Sequence, residues 1–397
     1  MAKAFSTALL LLLASSFGGA SAKNSVDVLY RLQGGSEGCN PGGMVSDAAG
    51  AFYGVAYNCG DANNGTVFRF TPGGKFRVLN DFADPHAGSH PQARLLLGPH
   101  GTLFGTAQMG GDGGQGTVFE VKKNGDLIVL HAFTGGADGG TPLGGLVSDA
   151  QGNLYGTASV GGKNNDGVVY KISHRGEYHV MHSFDDLVDG STPSGELLAD
   201  GNGNFYGTTQ KGTLTGAGDV YKIAADGKVT IIYAFAGGHD GFLANGSLIA
   251  DAAGNLYGTT SAGGSVGIGI VFKIAPDGTE TILHDFDGYQ NKDGGRPLYG
   301  LAWGSDGALY GVTDVYDSFQ GRDWGDIFRI DTAGDFQLLV KFPKDDKKGY
   351  VPSGALILGP DGNLYGTLDL SPPDNAGTVF ELPPGLHSPR LTSSVPS

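Results

Sequence analysis

Basic residues are scarce in this 397-residue sequence. It holds 25 lysines and arginines against 40 aspartates and glutamates, which gives a formal net charge of −15 at pH 7, and charged residues make up only 16 per cent of the chain. Nucleic acids and anionic membrane surfaces are bound through basic patches. The composition therefore argues against both as partners.

Long apolar runs are equally rare. The run at 8–14 is too short to span a bilayer, and no second run follows. Lys3 precedes it and the small residues Ala20, Ser21 and Ala22 follow, which is the order found in a secretory signal. We predict that residues 1–22 are a signal peptide, and that the mature protein is soluble, has no membrane span and is secreted or periplasmic.

Sustained helical periodicity is missing beyond this N-terminus. We also find no nucleophile elbow, zinc signature or phosphate-binding loop. No motif assigns a reaction to the chain, so its organisation has to be considered before its chemistry.

Glycine, in contrast, is abundant, and its 72 positions are periodic. An aromatic-Gly pair recurs seven times, with successive aromatic residues 51, 51, 51, 51, 53 and 55 positions apart. The aromatic residues are Tyr53, Phe104, Tyr155, Tyr206, Tyr257, Tyr310 and Tyr365. A period near fifty indicates a repeat architecture.

Each repeat contains four short runs with strand character. In the third copy they cover 146–148, 153–158, 168–172 and 178–184. Asp-Gly and Gly-Asn pairs between the runs suit tight hairpins, because glycine tolerates positive φ. One such sheet cannot bury both of its faces, whereas radially stacked sheets can. The repeat therefore predicts an all-β, seven-bladed β-propeller of four-stranded antiparallel blades.

The two ends of the repeat array complement each other. Residues 26–32 resemble only the fourth strand of a unit, and the last unit stops after its third strand, at 378–382. We expect the N-terminal strand to complete the seventh blade, which removes exposed edge strands. The propeller is predicted to span residues 23–385, and the aperiodic residues 386–397 are predicted to be a disordered tail.

The two cysteines, Cys39 and Cys59, lie in links that a four-stranded meander brings to one face of blade 1. In an exported protein this favours a disulfide over two free thiols. A metal site is not indicated, because the pair lacks further ligands.

Several repeated pieces carry a family resemblance. They are Leu-Tyr-Gly-Thr-Thr at 256–260, Gly-Gly at 263–264, Val-Phe-Lys-Ile at 271–274 and Met-His-Ser-Phe at 181–184. With them, nearly the whole mature chain resembles the GloVer-type (choice-of-anchor) family of secreted tandem-repeat propellers. The resemblance implies a secreted or cell-surface propeller and implies no activity.

Features that recur in several blades are most simply explained by folding. His131, His182 and His284 occupy one place in three fourth strands, and packing explains them better than a metal role. The Asp-Gly pairs before several first strands offer oxygen ligands that suit calcium. Because they lack the regular spacing of a calcium loop, turn formation is the stronger interpretation and no cofactor is predicted.

Features confined to one blade are better site candidates. The first strands should line the axis, and one position in them is small in five blades but is Arg94 in blade 2 and Glu196 in blade 4. A charge near a narrow channel is costly unless it is solvated or paired. The two residues therefore either face each other across water or serve a ligand.

The link after the second strand of blade 6 departs most from its counterparts. It supplies aromatic and charged side chains where other blades have mostly Gly, Asn and Ser: Tyr316, Asp317, Phe319, Arg322, Asp323 and Trp324. Such a set suits sugar rings, which have apolar faces and hydroxyl rims. Arg296 and Tyr299 lie on the same face, in the preceding link. A longer loop packed on itself explains these residues equally well.

We expect an exported, monomeric binding or scaffold protein that recognises an extracellular glycan or protein on this face. The main alternative is a polysaccharide lyase or lactonase-like hydrolase with its site over the channel. In that case His86, His90 and His239 could form an acid–base set with Arg94 or Tyr299. A third alternative is a purely structural repeat protein.

Overall fold

The computed structural model describes residues 25–213, 215–288, 293–314, 324–343 and 346–383. The predicted signal peptide and tail lie outside these ranges. Within them the chain forms seven antiparallel sheets, four short 3₁₀ helices and no α-helix. None of these helices is long and apolar enough to cross a membrane. The predicted all-β propeller of seven blades is confirmed.

Strands are numbered along the chain, and the first strand of each blade lies nearest the axis. Strand β1 is Asp27–Arg31. Blade 1 consists of β2 (Cys39–Ser46), β3 (Phe52–Asn58), β4 (Thr66–Thr71) and β5 (Lys75–Asp81). Blade 2 consists of β6 (Leu96–Leu97), β7 (Leu103–Ala107), β8 (Thr117–Val121) and β9 (Leu127–Ala132). Blade 3 consists of β10 (Val147–Ser148), β11 (Leu154–Ala158), β12 (Val168–Ile172) and β13 (Tyr178–Ser183).

The remaining blades follow the same order. Blade 4 consists of β14 (Ser191–Pro193), β15 (Leu198–Ala199), β16 (Phe205–Lys211), β17 (Asp219–Ile223) and β18 (Val229–Ala234). Blade 5 consists of β19 (Ile249–Ala250), β20 (Leu256–Thr260), β21 (Ile270–Ile274) and β22 (Glu280–Asp285). Blade 6 consists of β23 (Ala302–Trp303), β24 (Leu309–Thr313), β25 (Asp326–Ile330) and β26 (Phe336–Lys341). Blade 7 consists of β27 (Tyr350–Pro352), β28 (Ile357–Leu358), β29 (Leu364–Leu370), β30 (Thr378–Leu382) and β1. The 3₁₀ helices are Gly35–Glu37, Pro85–Ala87, Pro99–Gly101 and Gly238–Asp240.

Blade 7 is built from both ends of the described chain. Strand β1 pairs antiparallel with β30, and Val28 lies opposite Phe380. Val26 and Leu32, which flank β1, are buried in the apolar clusters that blade 7 shares with blade 6 and with blade 1. The N-terminal strand therefore closes the ring, as the half units predicted.

Apolar clusters join the blades, one at each of the seven junctions. At the junction of blades 7 and 1, for example, the rings of Phe52 and Tyr365 lie 4.4 Å apart, centroid to centroid. Each sheet thus buries against its neighbours the faces that it could not bury alone.

The repeated aromatic-Gly pair has a packing explanation. Its glycine lies opposite an aromatic residue of the third strand, as Gly54 lies opposite Phe68. A Cβ at Gly54 would come within 2.6 Å of Phe68 Cζ, so a larger residue would displace this buried ring. In five blades the next residue is a threonine whose hydroxyl donates to a carbonyl in or just before the first strand of the neighbouring blade, as Thr157 does to Gly195 at 3.3 Å. The motif therefore ties each second strand to the wall of the axis.

Cys39 and Cys59 form a disulfide, with their Cα atoms 5.4 Å apart. Cys39 begins β2 and Cys59 follows β3, so both lie at the same end of blade 1. The predicted pairing is confirmed.

The histidines of the fourth strands belong to the packing of the outer rim. Each Nε2 contacts the carboxylate of the following Asp-Gly link, at 3.1 Å for His131–Asp138, 2.7 Å for His182–Asp189 and 2.9 Å for His284–Asp293. His131 also stacks on Tyr178 of the next blade, with 3.7 Å between ring centroids. These contacts support packing as the role of the histidines and turn formation as the role of the Asp-Gly pairs.

Candidate functional site

A cavity of about 820 Å³ occupies the axis and is lined mainly by residues in or just before the first strands of all seven blades. At the end that carries the links before the first strands, the lining begins with residues that we call the channel mouth: Gln92, Leu143, Ser194, Asn245, Leu298 and Ser353. Farther in, apolar residues such as Val147, Leu198 and Ile249 line the wall. The cavity therefore combines hydrogen-bonding groups at the mouth with an apolar interior.

Arg94 and Glu196 lie in this lining and contact each other. Arg94 Nε donates to Glu196 Oε2 at 3.2 Å, and Arg94 Nη2 donates to Glu196 Oε1. Gly145 of the blade between them makes the pairing sterically feasible, because a Cβ there would lie 2.7 Å from Glu196 Oε2. The pair thus lies along the channel wall in direct contact, and is not separated by water.

The Arg94–Glu196 pair presents both donors and acceptors to the cavity. The side chain of Arg94 is 48 per cent exposed and that of Glu196 is 12 per cent exposed. The neighbouring carboxylate raises the pKa of Arg94 further above its usual value, so the guanidinium stays charged. Because Glu196 engages two of the five guanidinium N–H groups, donors remain beside the carboxylate oxygens while the pair is neutral as a whole.

Every blade places one non-glycine residue in the left-handed backbone conformation just before the channel mouth. Their φ angles lie between 51° and 61°, and the residues are Asn40, His90, Thr141, Thr192, Leu243, Arg296 and Val351. Each N–H donates to a carbonyl of the preceding blade, as Arg296 does to Ile268 at 2.6 Å. The fold therefore fixes the position of these seven residues, which we call the left-handed ring, while their side chains differ from blade to blade.

Of the predicted site residues of blade 6, Tyr299 lines the channel and Arg296 lies just before its mouth. Arg296 belongs to the left-handed ring and is exposed, and Tyr299 lines the cavity where the other blades have glycine or alanine. Burial raises the pKa of Tyr299, and the nearby carboxylates of Asp314 and Asp369 raise it further. The phenol therefore remains protonated and shares the cavity with Arg94 and Glu196.

The blade 6 link is only partly described. Five of its candidates lie outside the described residues: Tyr316, Asp317, Phe319, Arg322 and Asp323. Trp324 is half-buried and packs edge to face on Tyr350 of blade 7, with 5.5 Å between ring centroids. Its backbone exchanges hydrogen bonds with Phe342 and Val351. Trp324 thus helps to hold the junction of blades 6 and 7, so its removal would disturb more than a loop.

The proposed histidine acid–base set is not assembled in the cavity. His86 Nδ1 contacts Asp112 Oδ1 at 2.5 Å, with both side chains largely exposed. His90 packs edge-on against Tyr57, with 4.9 Å between centroids, and His239 lies in a 3₁₀ helix. The cavity lining, as far as the structure describes it, contains no histidine.

Contrary to our prediction, the serine signature of hydrolases is present in the sequence, but it does not lie in the structural setting that a nucleophile elbow needs. The segments 34–38 and 263–267 match the pattern Gly-x-Ser-x-Gly. A nucleophile elbow requires a strand that turns sharply into a helix. Neither segment leads into an α-helix in the described chain.

Sequence analysis did not single out Ser194 and Asn245. They occupy the same place in blades 4 and 5, two residues after the left-handed ring, and both line the cavity. The X-Pro pair that begins at the left-handed residue in six of the seven blades is the signal that could have aligned them. Because the side chains at this place differ from blade to blade, the equivalence of these positions is hard to see in the sequence.

Comparison with known proteins identifies the fold. No curated protein sequence matches the chain. The extracellular domain of a hybrid two component system from B. thetaiotaomicron has a TM-score of 0.58 at 11 per cent identity, over 89 per cent of this chain and 39 per cent of its own. The extracellular domain of a one component system from the same organism has a TM-score of 0.56 at 13 per cent identity, over 88 per cent of this chain and 41 per cent of its own. This chain thus spans about two fifths of their length, and the likeness shows the fold alone.

A gluconolactonase structure is a weaker match. Its TM-score is 0.42 at 13 per cent identity, over 79 per cent of this chain and 94 per cent of its own. A score this low has no bearing on the activity of the chain.

The family comparison covers nearly the whole sequence. The Gloeobacter/Verrucomicrobia repeat matches residues 17–212 and again residues 193–393. These ranges contain all the blades described above, and the match confirms the resemblance found in the Tyr-Gly-Thr-Thr and Gly-Gly pieces of the repeat. The chain therefore belongs to the Gloeobacter/Verrucomicrobia repeat family.

Proposed function

We propose that this chain is an exported propeller that binds a glycan at its channel mouth. The observation that carries the proposal is the Arg94–Glu196 pair, which lies in a cavity of about 820 Å³ on a belt of otherwise small residues. That volume falls within the range of small-molecule sites, which typically combine apolar walls with a few convergent polar groups. Export is supported by the Cys39–Cys59 disulfide, because disulfides persist in oxidising compartments.

The chemistry of the lining favours a carbohydrate over other small ligands. A sugar hydroxyl both donates and accepts hydrogen bonds, and the guanidinium and carboxylate of the pair offer both partners side by side. Tyr299 and Leu298 add apolar surface suited to the C–H faces of a sugar ring. The described lining contains no histidine, and its two charges neutralise each other. Neither observation supports the lyase or hydrolase alternative.

The test is an oligosaccharide array followed by titration of the strongest binder. Arg94→Gln and Glu196→Gln should each weaken binding about tenfold or more, because each removes charge-assisted hydrogen bonds. Arg329→Gln is the matched control, since it breaks another arginine–carboxylate pair, with Asp306 at 2.8 Å, away from the cavity. Its affinity should equal that of wild type. Failure of every glycan to bind, or equal affinity in all four proteins, contradicts the proposal.

A further inference from the structure

We infer that the interior of the axial cavity is a subsite for an apolar group, carried by the glycan that binds at the Arg94–Glu196 pair. The ligand is then an amphiphilic glycoside, in which a sugar bears an alkyl, acyl or aryl substituent. The inference rests on the proposed glycan-binding function and specifies the class of glycan. It is carried by a layer of partly exposed apolar side chains that lies beneath the pair.

This layer of the cavity wall, which we call the apolar collar, is contributed by the first strands. Each member follows by two residues the position that holds Arg94 in blade 2 and Glu196 in blade 4. The members that line the cavity are Val45, Val147, Leu198, Ile249, Ala302 and Ile357. The same position in blade 2 is Leu96. Every blade therefore places an apolar residue at this level of the axis.

The collar lies deeper in the channel than the charged pair. Each first strand runs inwards from the mouth, and residues two apart in extended chain are separated by roughly 7 Å. Leu198 follows Glu196 in this way, and both line the cavity. The residues that follow the collar by one position extend the lining farther, with Ser46, Ala199, Trp303 and Leu358. A ligand held by the pair therefore has apolar surface beneath it.

The collar side chains are accessible from the cavity. Of the six that line it, all except Ile357 are partly exposed. The residues that precede Val147 and Leu198 are packed between blades instead, and Leu146 and Leu197 are only 1 and 2 per cent exposed. Because the first strands are innermost and neighbouring blades cover the faces of each sheet, the exposed part of the collar faces the axis.

Apolar surface at this level suits an apolar ligand better than water. The collar side chains carry no polar atom, whereas a water molecule held in a cavity needs about two to four polar partners. Trp303 adds to the apolar surface, because its only donor, Nε1–H, is directed to the Ala250 carbonyl at 3.3 Å. An apolar substituent that enters the collar removes its own surface and that of the wall from water, which favours binding.

The collar has most room on the side of blade 6. Ala302 stands where the other six blades have valine, leucine or isoleucine, so its side chain fills less of the axis than theirs. Tyr299, which is three residues closer to the mouth, lines the cavity in the same blade. We expect the apolar group to enter along this side, past the ring of Tyr299.

The experiment compares methyl with n-octyl β-glycosides of glucose, galactose, mannose, N-acetylglucosamine and cellobiose, below their critical micelle concentrations. Isothermal titration calorimetry gives each affinity. For at least one sugar, wild type should bind the octyl glycoside at least about tenfold more tightly than the methyl glycoside. Burial of about two methylene groups is enough for this, since each is worth roughly fourfold in affinity. The heat capacity change of binding should also be more negative for the octyl glycoside.

Two collar variants and one control locate the octyl group. Val147→Thr places a hydroxyl in the collar at nearly constant volume and should lower the octyl-to-methyl affinity ratio roughly three- to tenfold. Ala302→Leu fills the free space with a side chain that blade 4 already carries there, and should lower the ratio about tenfold or more. Val180→Thr is the matched control, because Val180 is 38 per cent exposed in the outer strand of the same blade as Val147. It should keep the wild-type ratio.

The outcomes separate this inference from the proposed function. Equal affinity for the methyl and octyl glycosides of every sugar that binds overturns the subsite and leaves glycan binding standing. A ratio that survives both collar variants, or that falls equally in Val180→Thr, also overturns it, because the octyl chain then binds elsewhere. If wild type binds no glycoside of either kind, the proposed function fails and the subsite fails with it. Circular dichroism and melting curves of each variant establish that a loss of affinity is not a loss of folding.

Discussion

Blades 4 and 7 each place a serine at the same point of the channel mouth, nine-tenths buried in both, yet Ser353 is hydrogen-bonded and Ser194 has no partner among the described residues. The difference comes from the next blade. Asn40 and Met44 of blade 1 are four residues apart, whereas Leu243 and Leu248 of blade 5 are five apart. The shorter segment makes β2 one continuous strand, and its Pro41 carbonyl meets Ser353. The same residue is therefore hydrogen-bonded in one blade and has no partner among the described residues in the other.

The two blades also differ in how they are completed. Blade 4 is continuous in sequence, whereas blade 7 depends on non-covalent pairing between β1 and β30. They differ again at the start of the third strand, where blade 4 has Asp219 and blade 7 has Thr378. Thr378 Oγ1 donates to the Lys348 carbonyl, while Asp219 is fully buried with Oδ1 unpaired among the described residues.

The largest effect is expected at the closure of blade 7. Deletion of residues 25–32 removes the partner of β30 and the buried side chains of Val26 and Leu32. We expect a loss of more than about 4 kcal/mol in unfolding free energy, or failure to fold, because an edge strand and two apolar clusters are exposed. Thermal unfolding, monitored by circular dichroism, measures the loss of stability. Truncation after residue 385 is the control and should leave the melting temperature unchanged; an equally stable N-terminal deletion contradicts closure by β1.

The next effect concerns Asp219, and it depends on pH. Burial raises the pKa of Asp219 to about 6. The folded state thus binds this proton more tightly than the unfolded state, so the wild-type protein loses stability as pH rises from about 4 to above 6. Asp219→Asn should therefore be roughly 2–3 kcal/mol more stable than wild type at pH 7.5, by the relation between pKa and free energy. The advantage should disappear below pH 4.

Urea unfolding at several pH values tests this expectation. Asp226→Asn is the control in the same blade, because Asp226 lies in an exposed hairpin. Its unfolding free energy should follow that of wild type across the pH range. A constant difference between Asp219→Asn and wild type from pH 4 to 8 would show that the carboxyl does not titrate as described.

A smaller effect should separate the two serines. Ser353→Ala removes the donor to the Pro41 carbonyl and should cost about 1–2 kcal/mol of unfolding free energy. Ser194→Ala breaks no hydrogen bond in the described structure and should change stability by less than about 0.5 kcal/mol. Urea denaturation of the unliganded proteins gives both values. Equal losses would mean that Ser194 has a structural partner after all.

The smallest effect is expected in the left-handed ring. Thr192 has a φ of 59°, a conformation that is strained for a β-branched residue. Thr192→Gly should relieve roughly 1–2 kcal/mol of backbone strain. The greater entropy of glycine in the unfolded chain offsets part of this, so the unfolding free energy should rise by about 0.5 kcal/mol. Val351→Gly should show no gain, because Val351 also packs on the cluster between blades 6 and 7. Differential scanning calorimetry of both variants measures these changes in stability. If Thr192→Gly lowers the melting temperature, Thr192 is not strained in the native backbone.

The sequence was sufficient to predict the architecture, because each repeat carries its own strand and turn signals and these signals recur along the chain. Aromatic-Gly pairs, Asp-Gly turns and a half unit at each end specified seven blades and the closing strand. The disulfide followed from the position of Cys39 and Cys59 in links at one end of a meander. Individual strand limits were predicted within a residue or two, as in blade 3, where the predicted 153–158 became Leu154–Ala158.

The site was predicted less completely, and the reason is physical. Arg94 and Glu196 were recognised as exceptions in a belt of small residues, but the direct contact between residues 102 positions apart depends on the space that Gly145 leaves between their blades. Ser194 and Ser353 lie in the same Pro-Ser-Gly tripeptide, and the shorter segment of the blade beside Ser353 accounts for their different hydrogen bonding. Sequence by itself determined which elements form and how many, because those choices are local. The tertiary structure decided which polar atoms are paired, because pairing depends on distances between blades that stack around a common axis.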